Sequence, residues 1–75
     1  MKNPTAELIE RARKYMAKRY GRDMQATEDG TFFYMAMPAI GPSRTWYRVE
    51  VGYVCADGSL VDGRGDRDEV IARLN

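Results

Sequence analysis

The 75-residue chain has no histidine and a single cysteine. Without imidazole there is no histidine-based catalytic triad, and one thiol without a histidine cannot build a zinc site. One cysteine also excludes an internal disulfide framework. No apolar run approaches the 18 residues that a membrane-spanning helix requires. The N-terminus lacks a basic-then-apolar pattern and reaches Glu7 and Glu10 at once, so no secretory signal is expected and a cytoplasmic location is. A chain this short buries only about 60% of the surface that it exposes when unfolded, which leaves little room for a deep, enclosed active site. Catalysis by paired carboxylates would need such a pocket to shift a pKa. Nothing resembles a phosphate loop, since Gly63-Arg64-Gly65 lacks both the spacing and the lysine. The expectation is a non-enzymatic protein with no cofactor and no metal.

What is present fits one soluble domain over residues 1–75: 44% hydrophobic and 31% charged residues, with no repeats or low-complexity tracts. Net charge is +1, but it is unevenly spread. Residues 1–48 hold nine Lys/Arg and five Asp/Glu, and residues 49–75 hold three Arg and six Asp/Glu, so the two parts carry +4 and −3. Such asymmetry marks either a basic face with a partner or simply solvated surface.

Asn3-Pro4 reads as an N-cap with proline at the first helical position. Leu8, Ile9, Ala12, Tyr15, Met16 and Tyr20 recur at three- and four-residue spacing within an arc of about 140°. Glu7–Arg11 and Glu10–Lys14 are i,i+4 pairs in the favourable order, and Gly21 is a natural stop. The pattern predicts a helix over 4–20.

A short extended piece, 24–27, then leads into a turn at Glu28-Asp29-Gly30-Thr31. Phe32 to Met37 is an apolar, aromatic strand, ended by Pro38 and Gly41-Pro42. Thr45 to Cys55 alternates throughout. Its odd residues are expected to face the helices, which leaves Trp46 and Arg48 on the open side. Asp57-Gly58 opens a second hairpin into Ser59–Asp62. Asp66-Arg67-Asp68-Glu69 has the form of a capping box, with Val70, Ile71 and Leu74 as the apolar face of a final helix. The expected fold is α+β: a two-layer sandwich with an N-terminal helix, a three- or four-stranded antiparallel meander and a short C-terminal helix.

Asn3-Pro4 opening the first helix, Trp46-Tyr47-Arg48-Val49-Glu50-Val51 as a second strand, and Asp62-Gly63-Arg64-Gly65 leading into a last helix resemble the double-stranded-RNA-binding domain. The resemblance implies the order α-β-β-β-α and, in that family, a lysine cluster at the start of the last helix that clamps phosphates. Here that stretch reads Asp66-Arg67-Asp68-Glu69, whose three acids repel phosphate. The resemblance thus bears on the fold more than on the function.

Two constellations remain as candidate sites. Trp46 and Arg48 are residue types enriched at interface hot spots, and Tyr34 or Phe33 joins them depending on register. The alternative is that Trp46 caps the edge of the core. Met35 and Met37 either belong to the core or extend the same surface. The second constellation is the basic side of the first helix, Arg11, Lys14 and Lys18, with Arg22 just beyond it. It suits phosphate contacts if it is more than a solvated face. Asp57, Asp62, Asp66, Asp68 and Glu69 do not fit a calcium loop and are explained by turn and cap chemistry. Arg64-Gly65-Asp66 spells an integrin-binding tripeptide, but the cap role of Asp66 accounts for it. Cys55 is expected in the core.

The leading expectation is a small binding protein that acts by protein–protein contact, an inhibitor or adaptor of the kind that phages and other mobile elements encode. Homodimerisation through the same face is a variant of that reading. The alternative is nucleic-acid binding through the basic helix. No membrane partner is expected.

Overall fold

The computed structural model describes residues 3–38, 41, 45–63 and 68–74. Its helix, α1, spans Ala6–Tyr20, two residues later than the cap pattern predicts. Thr5, not Asn3, is the N-cap. Its backbone is extended, and its hydroxyl accepts the Leu8 amide at 3.2 Å, so one of the orphan amides of the first turn is satisfied. Pro4 therefore lies outside the helix and packs against Gly30. The other end stops at Gly21, whose φ of 67° suits a residue without a Cβ, and its amide donates to Ala17 O.

Leu8, Ala12 and Met16 form the buried line of the helix, with Ile9 and Tyr20 half-buried beside it. Tyr15, at the margin of the predicted stripe, is exposed. The expected i,i+4 ion pairs are replaced by an i,i+3 pair. Glu10 takes both the Arg13 Nε (2.9 Å) and Nη2 (2.6 Å), while a further Arg13 nitrogen reaches Met24 O at 3.3 Å. That third contact ties the helix to the segment that follows it.

The sheet has five antiparallel strands in simple meander order: β1 (Gln25–Ala26), β2 (Thr31–Ala36), β3 (Tyr47–Val54), β4 (Ser59–Asp62) and β5 (Glu69–Arg73). Four of these match the expected extended segments. The fifth corrects the expected C-terminal helix. Residues 69–73 are a strand whose Ser59↔Arg73, Leu60↔Ala72, Val61↔Val70 and Asp62↔Glu69 pairings cover the far edge of β4. The reason is physical. A helix of two turns gains little from its own hydrogen bonds. Val70 and Ile71 are β-branched and favour a pleated surface, and β4 offers an edge that would otherwise stand unpaired. Asp66 and Arg67 of the proposed capping box lie outside the described residues.

The strict alternation expected of β3 also fails at one point. Phe32 pairs with Gly52, yet the next residue, Phe33, pairs with Glu50, so Val51 is an extra residue in a β-bulge. The side-chain phase changes across it. Before the bulge the odd residue Val49 shares the helix side with Tyr34. After it Gly52 and Val54 do so, paired with Phe32 and Leu60. Tyr53, expected on the helix side, stands on the open side with Thr31 and Val61. Cys55 is half-buried rather than in the core. The core lies between α1 and the sheet: Leu8, Ala12, Met16, Met24, Phe32, Val51, Val54 and Leu60.

Two hairpin turns fix the registers. In the first, Thr31 N–H is shared between Thr27 Oγ1 (3.1 Å) and Asp29 Oδ1 (3.3 Å), and the Thr27 hydroxyl donates to Asp29. In the second, Asp57 Oδ1 accepts Ser59 N–H at 2.9 Å. Both aspartates therefore sit below their ordinary pKa of 3.8, Asp29 chiefly through the Thr27 hydroxyl and Asp57 through the Ser59 amide. Among the described residues no helix is long and apolar enough to cross a membrane.

Candidate functional site

The registers divide the β2–β3 hairpin into two parts. Its base is flanked on both sides, since β1 pairs with Phe32 and Phe33 and β4 pairs with Gly52, Tyr53 and Val54. Its distal part, Tyr34–Ala36 against Tyr47–Val49, pairs only with itself. Among the described residues the hairpin thus continues past the rest of the sheet as a two-stranded arm. Isolated two-stranded ribbons are marginal in water. An arm of this kind requires either internal cross-strand packing or a partner.

Two of the three residues proposed for protein contact, Tyr34 and Arg48, lie in the arm, and Trp46 stands one residue before it. Arg48 lies on the open side of the sheet, paired with Met35, and its guanidinium carbon stands 4.0 Å from the centroid of the Phe33 ring. Phe33 is buried on that side although no described helix or strand covers it there, and Arg48 supplies part of its shelter by a cation–π contact. Trp46 immediately precedes β3 and is 58% exposed, so it does not cap the core edge. Tyr34 lies on the opposite side, paired with Val49, and the guanidinium carbon of Arg22 stands 3.9 Å from its ring centroid. The residues that share a sheet face with Arg48 are Phe33, Met35 and Glu50 rather than Tyr34.

Sequence reasoning left out Tyr47, which is 49% exposed, and Met37 is exposed as well. Tyr47 was hidden by the assumption that odd residues of β3 face a helix. Its face is the helix side, but at Tyr47 the strand has already left the part of the sheet that α1 packs against. Trp46, Tyr47 and Met37 therefore place large apolar groups in solvent around the outer end of the arm. Side chains of this kind left wet favour association.

The basic candidates are placed differently. Arg11, Lys14 and Lys18 are all exposed on α1. The two ion pairs formed among the described residues engage Arg13 and Arg19 and none of these three. Arg22 is drawn away to the Tyr34 ring. A shallow groove lined by Tyr15, Lys18 and Arg19 runs along the helix.

The acids disperse. Asp57 serves its turn. Asp62 Oδ2 accepts both Arg19 Nε at 3.0 Å and the Tyr20 hydroxyl at 2.6 Å, which ties the end of α1 to β4. Arg19 is held above its ordinary pKa by this bond, and Tyr20 is raised by burial and then by the hydrogen bond to Asp62. Asp68 accepts from the Tyr53 hydroxyl at 3.4 Å. Asp66 and Arg64 lie outside the described residues. Among those described, no three of the acidic and thiol side chains converge into a metal-binding group. No family model, curated protein or solved structure matches this chain.

Proposed function

We propose that this is a small non-enzymatic binding protein that acts by protein–protein contact, as an inhibitor or adaptor, and that the β2–β3 arm is its contact element. The observation that carries this reading is the exposure of Trp46, Tyr47 and Met37 at the outer end of a ribbon that no other strand flanks among the described residues. A tryptophan on a projecting ribbon adds little to the fold from that position. Buried under a partner it would be an anchor of the type that dominates binding energy. The Arg48–Phe33 stack extends the same surface on the open side.

Affinity capture from host lysate, treated with nuclease, tests the reading when wild type and Trp46→Ala are compared. The expected result is a dominant protein that survives nuclease and is lost with Trp46→Ala. Capture unchanged by the substitution would overturn it, as would partners that disappear on nuclease treatment.

The second reading is nucleic-acid binding through the first helix. It is favoured by the exposure of Arg11, Lys14 and Lys18, which form no ion pair among the described residues, although Arg22 is engaged by the Tyr34 ring. It predicts affinity for nucleic acid that falls steeply with salt, whereas an aromatic contact barely responds. Lys14→Glu with Lys18→Glu then abolishes nucleic-acid binding. Unchanged binding in the double variant would remove this reading.

A further inference from the structure

The two tyrosines of α1 have different surroundings. Tyr20 is half-buried and bonded to Asp62, whereas Tyr15 is 40% exposed at the margin of the buried line. Residues three and four apart on a helix are surface neighbours. Tyr15 therefore has Arg11 on the turn before it and Lys18 and Arg19 on the turn after it, and it lines a shallow groove with the latter two. Lys14 adjoins both Arg11 and Lys18 by the same spacing. Arg11, Lys14 and Lys18 are exposed and enter neither ion pair formed among the described residues. Among those residues, guanidinium groups stand over the Tyr34 and Phe33 rings, and none stands over Tyr15. The acids of α1 do not offset its cations, since Glu10 is held by Arg13 and Glu7 lies a full turn before Arg11. Glu50 and Asp68 line a hollow beside Tyr53 on the open side of the sheet, the side that α1 does not cover.

From this juxtaposition we infer that α1 binds single-stranded nucleic acid, with a base stacked on Tyr15 and the neighbouring phosphates held by Arg11, Lys14 and Lys18. Charge complementarity selects a polyanion, and the ring selects one with unpaired bases. A duplex would satisfy the cations but leave the ring idle, because the faces of its bases are already covered by their neighbours in the stack. A single strand offers a base face, and stacking on an aromatic side chain accepts any base. Arg11 and Lys18 lie about 10 Å apart along the helix axis with Tyr15 between them, so the stacked base has a cation to either side. This stack rests on the second reading of α1, as a nucleic-acid-binding face, and names the ligand of that face. The arm takes no part in it.

Fluorescence anisotropy of end-labelled oligonucleotides of about 12 nucleotides, titrated with the full chain, tests it. The probes are oligouridylate, oligothymidylate, a duplex of the same length and a single strand carrying abasic sites in place of its bases. Wild type is expected to bind the base-carrying single strands more tightly than the duplex or the abasic strand. Binding of either single strand supports the stack, and the ratio of the two affinities tells RNA from DNA. Tyr15→Ala weakens binding to the base-carrying strands about 5- to 150-fold and leaves the abasic strand unaffected, whereas Tyr15→Phe keeps the ring and the affinity. Tyr15→Ala also leaves the salt dependence of binding unchanged, because it removes no phosphate contact, while Lys18→Gln lowers that slope by about one. Alanine favours a helix, so the thermal midpoint of Tyr15→Ala stays close to that of wild type. Tyr15→Ala binding as tightly as wild type would overturn the inference, and so would a duplex bound as tightly as the single strands. If binding in those cases still falls with salt and still needs Lys14 and Lys18, the second reading of α1 stands and only the base stack falls. Failure of every probe to bind at low salt removes both and leaves protein contact through the arm untouched.

Discussion

Gly52 shows how much a single missing side chain can decide. It sits in β3 where the strand passes under Met16 of α1 and beside β4. A Cβ there would be driven into the Val61 carbonyl oxygen and would also come 3.1 Å from Met16 Cε. Backbone cannot yield as a flexible side chain can. Gly52→Ala is therefore expected to destabilise the fold by about 1–3 kcal/mol, the range for overpacked sites, read from the midpoint of chemical denaturation. Residue-scale electrostatics predicts a stability profile with two flanks. Asp29 and Asp57 have folded pKa values below 3.8, so their contribution is present above pH 3.8 and is lost as pH falls through those lower values. Tyr20 is shifted the other way. Its contribution is complete below pH 10.0 and is lost as pH rises through the raised folded value. Denaturation midpoints measured against pH should show a shallower acid flank for the double variant Asp29→Asn, Asp57→Asn. They should show the loss of Tyr20's share of the alkaline flank in Tyr20→Phe.

At the scale of elements, α1 depends on its cap. Thr5→Ala removes the acceptor for the Leu8 amide and should cost about 0.5–2 kcal/mol, whereas Asn3→Ala should be nearly silent. The two substitutions separate the observed cap from the one suggested by Asn3-Pro4. β5 makes a second prediction. The Leu74 amide donates to Gly58 O at 2.8 Å and Arg73 Nη1 to Ser59 Oγ at 3.0 Å, so the Leu74 amide should exchange slowly despite lying near the end of the sequence. The helix, four of the strands and both turn sites were legible because each is written locally, in a 3.6-residue stripe, a period of two or an Asp-Gly signal. β5 was not. Acids before an apolar trio look like a helix start, and only the vacancy on the edge of β4, a fact about the folded sheet, tips Val70 and Ile71 into a strand. The bulge at Val51 was hidden for the same reason, since nothing in an alternating run announces where one residue is skipped by the partner strand.

For the whole molecule, one helix covers one side of a five-stranded meander, and the β2–β3 hairpin extends beyond the strands that flank its base. Trp46 and Arg48 could be singled out from residue type, and the structure adds where each of them stands. The first is wet at the outer end of the arm, and the second shelters Phe33 on a face that no described helix or strand covers. Tyr34 needed the register, which assigns it to the other side, and Tyr47 needed the end of the helix-covered region. Trp46 is the only tryptophan in the chain, so its fluorescence reports the arm without a label. The most direct test of the account follows the emission maximum of the free, dilute protein and then of the protein on complex formation with its captured partner. The predicted result is emission typical of water-exposed indole in the free chain, moving to shorter wavelength as the complex forms. Short-wavelength emission already present in the dilute free chain, or a maximum that does not move on complex formation, would contradict the assignment of the arm as the contact element.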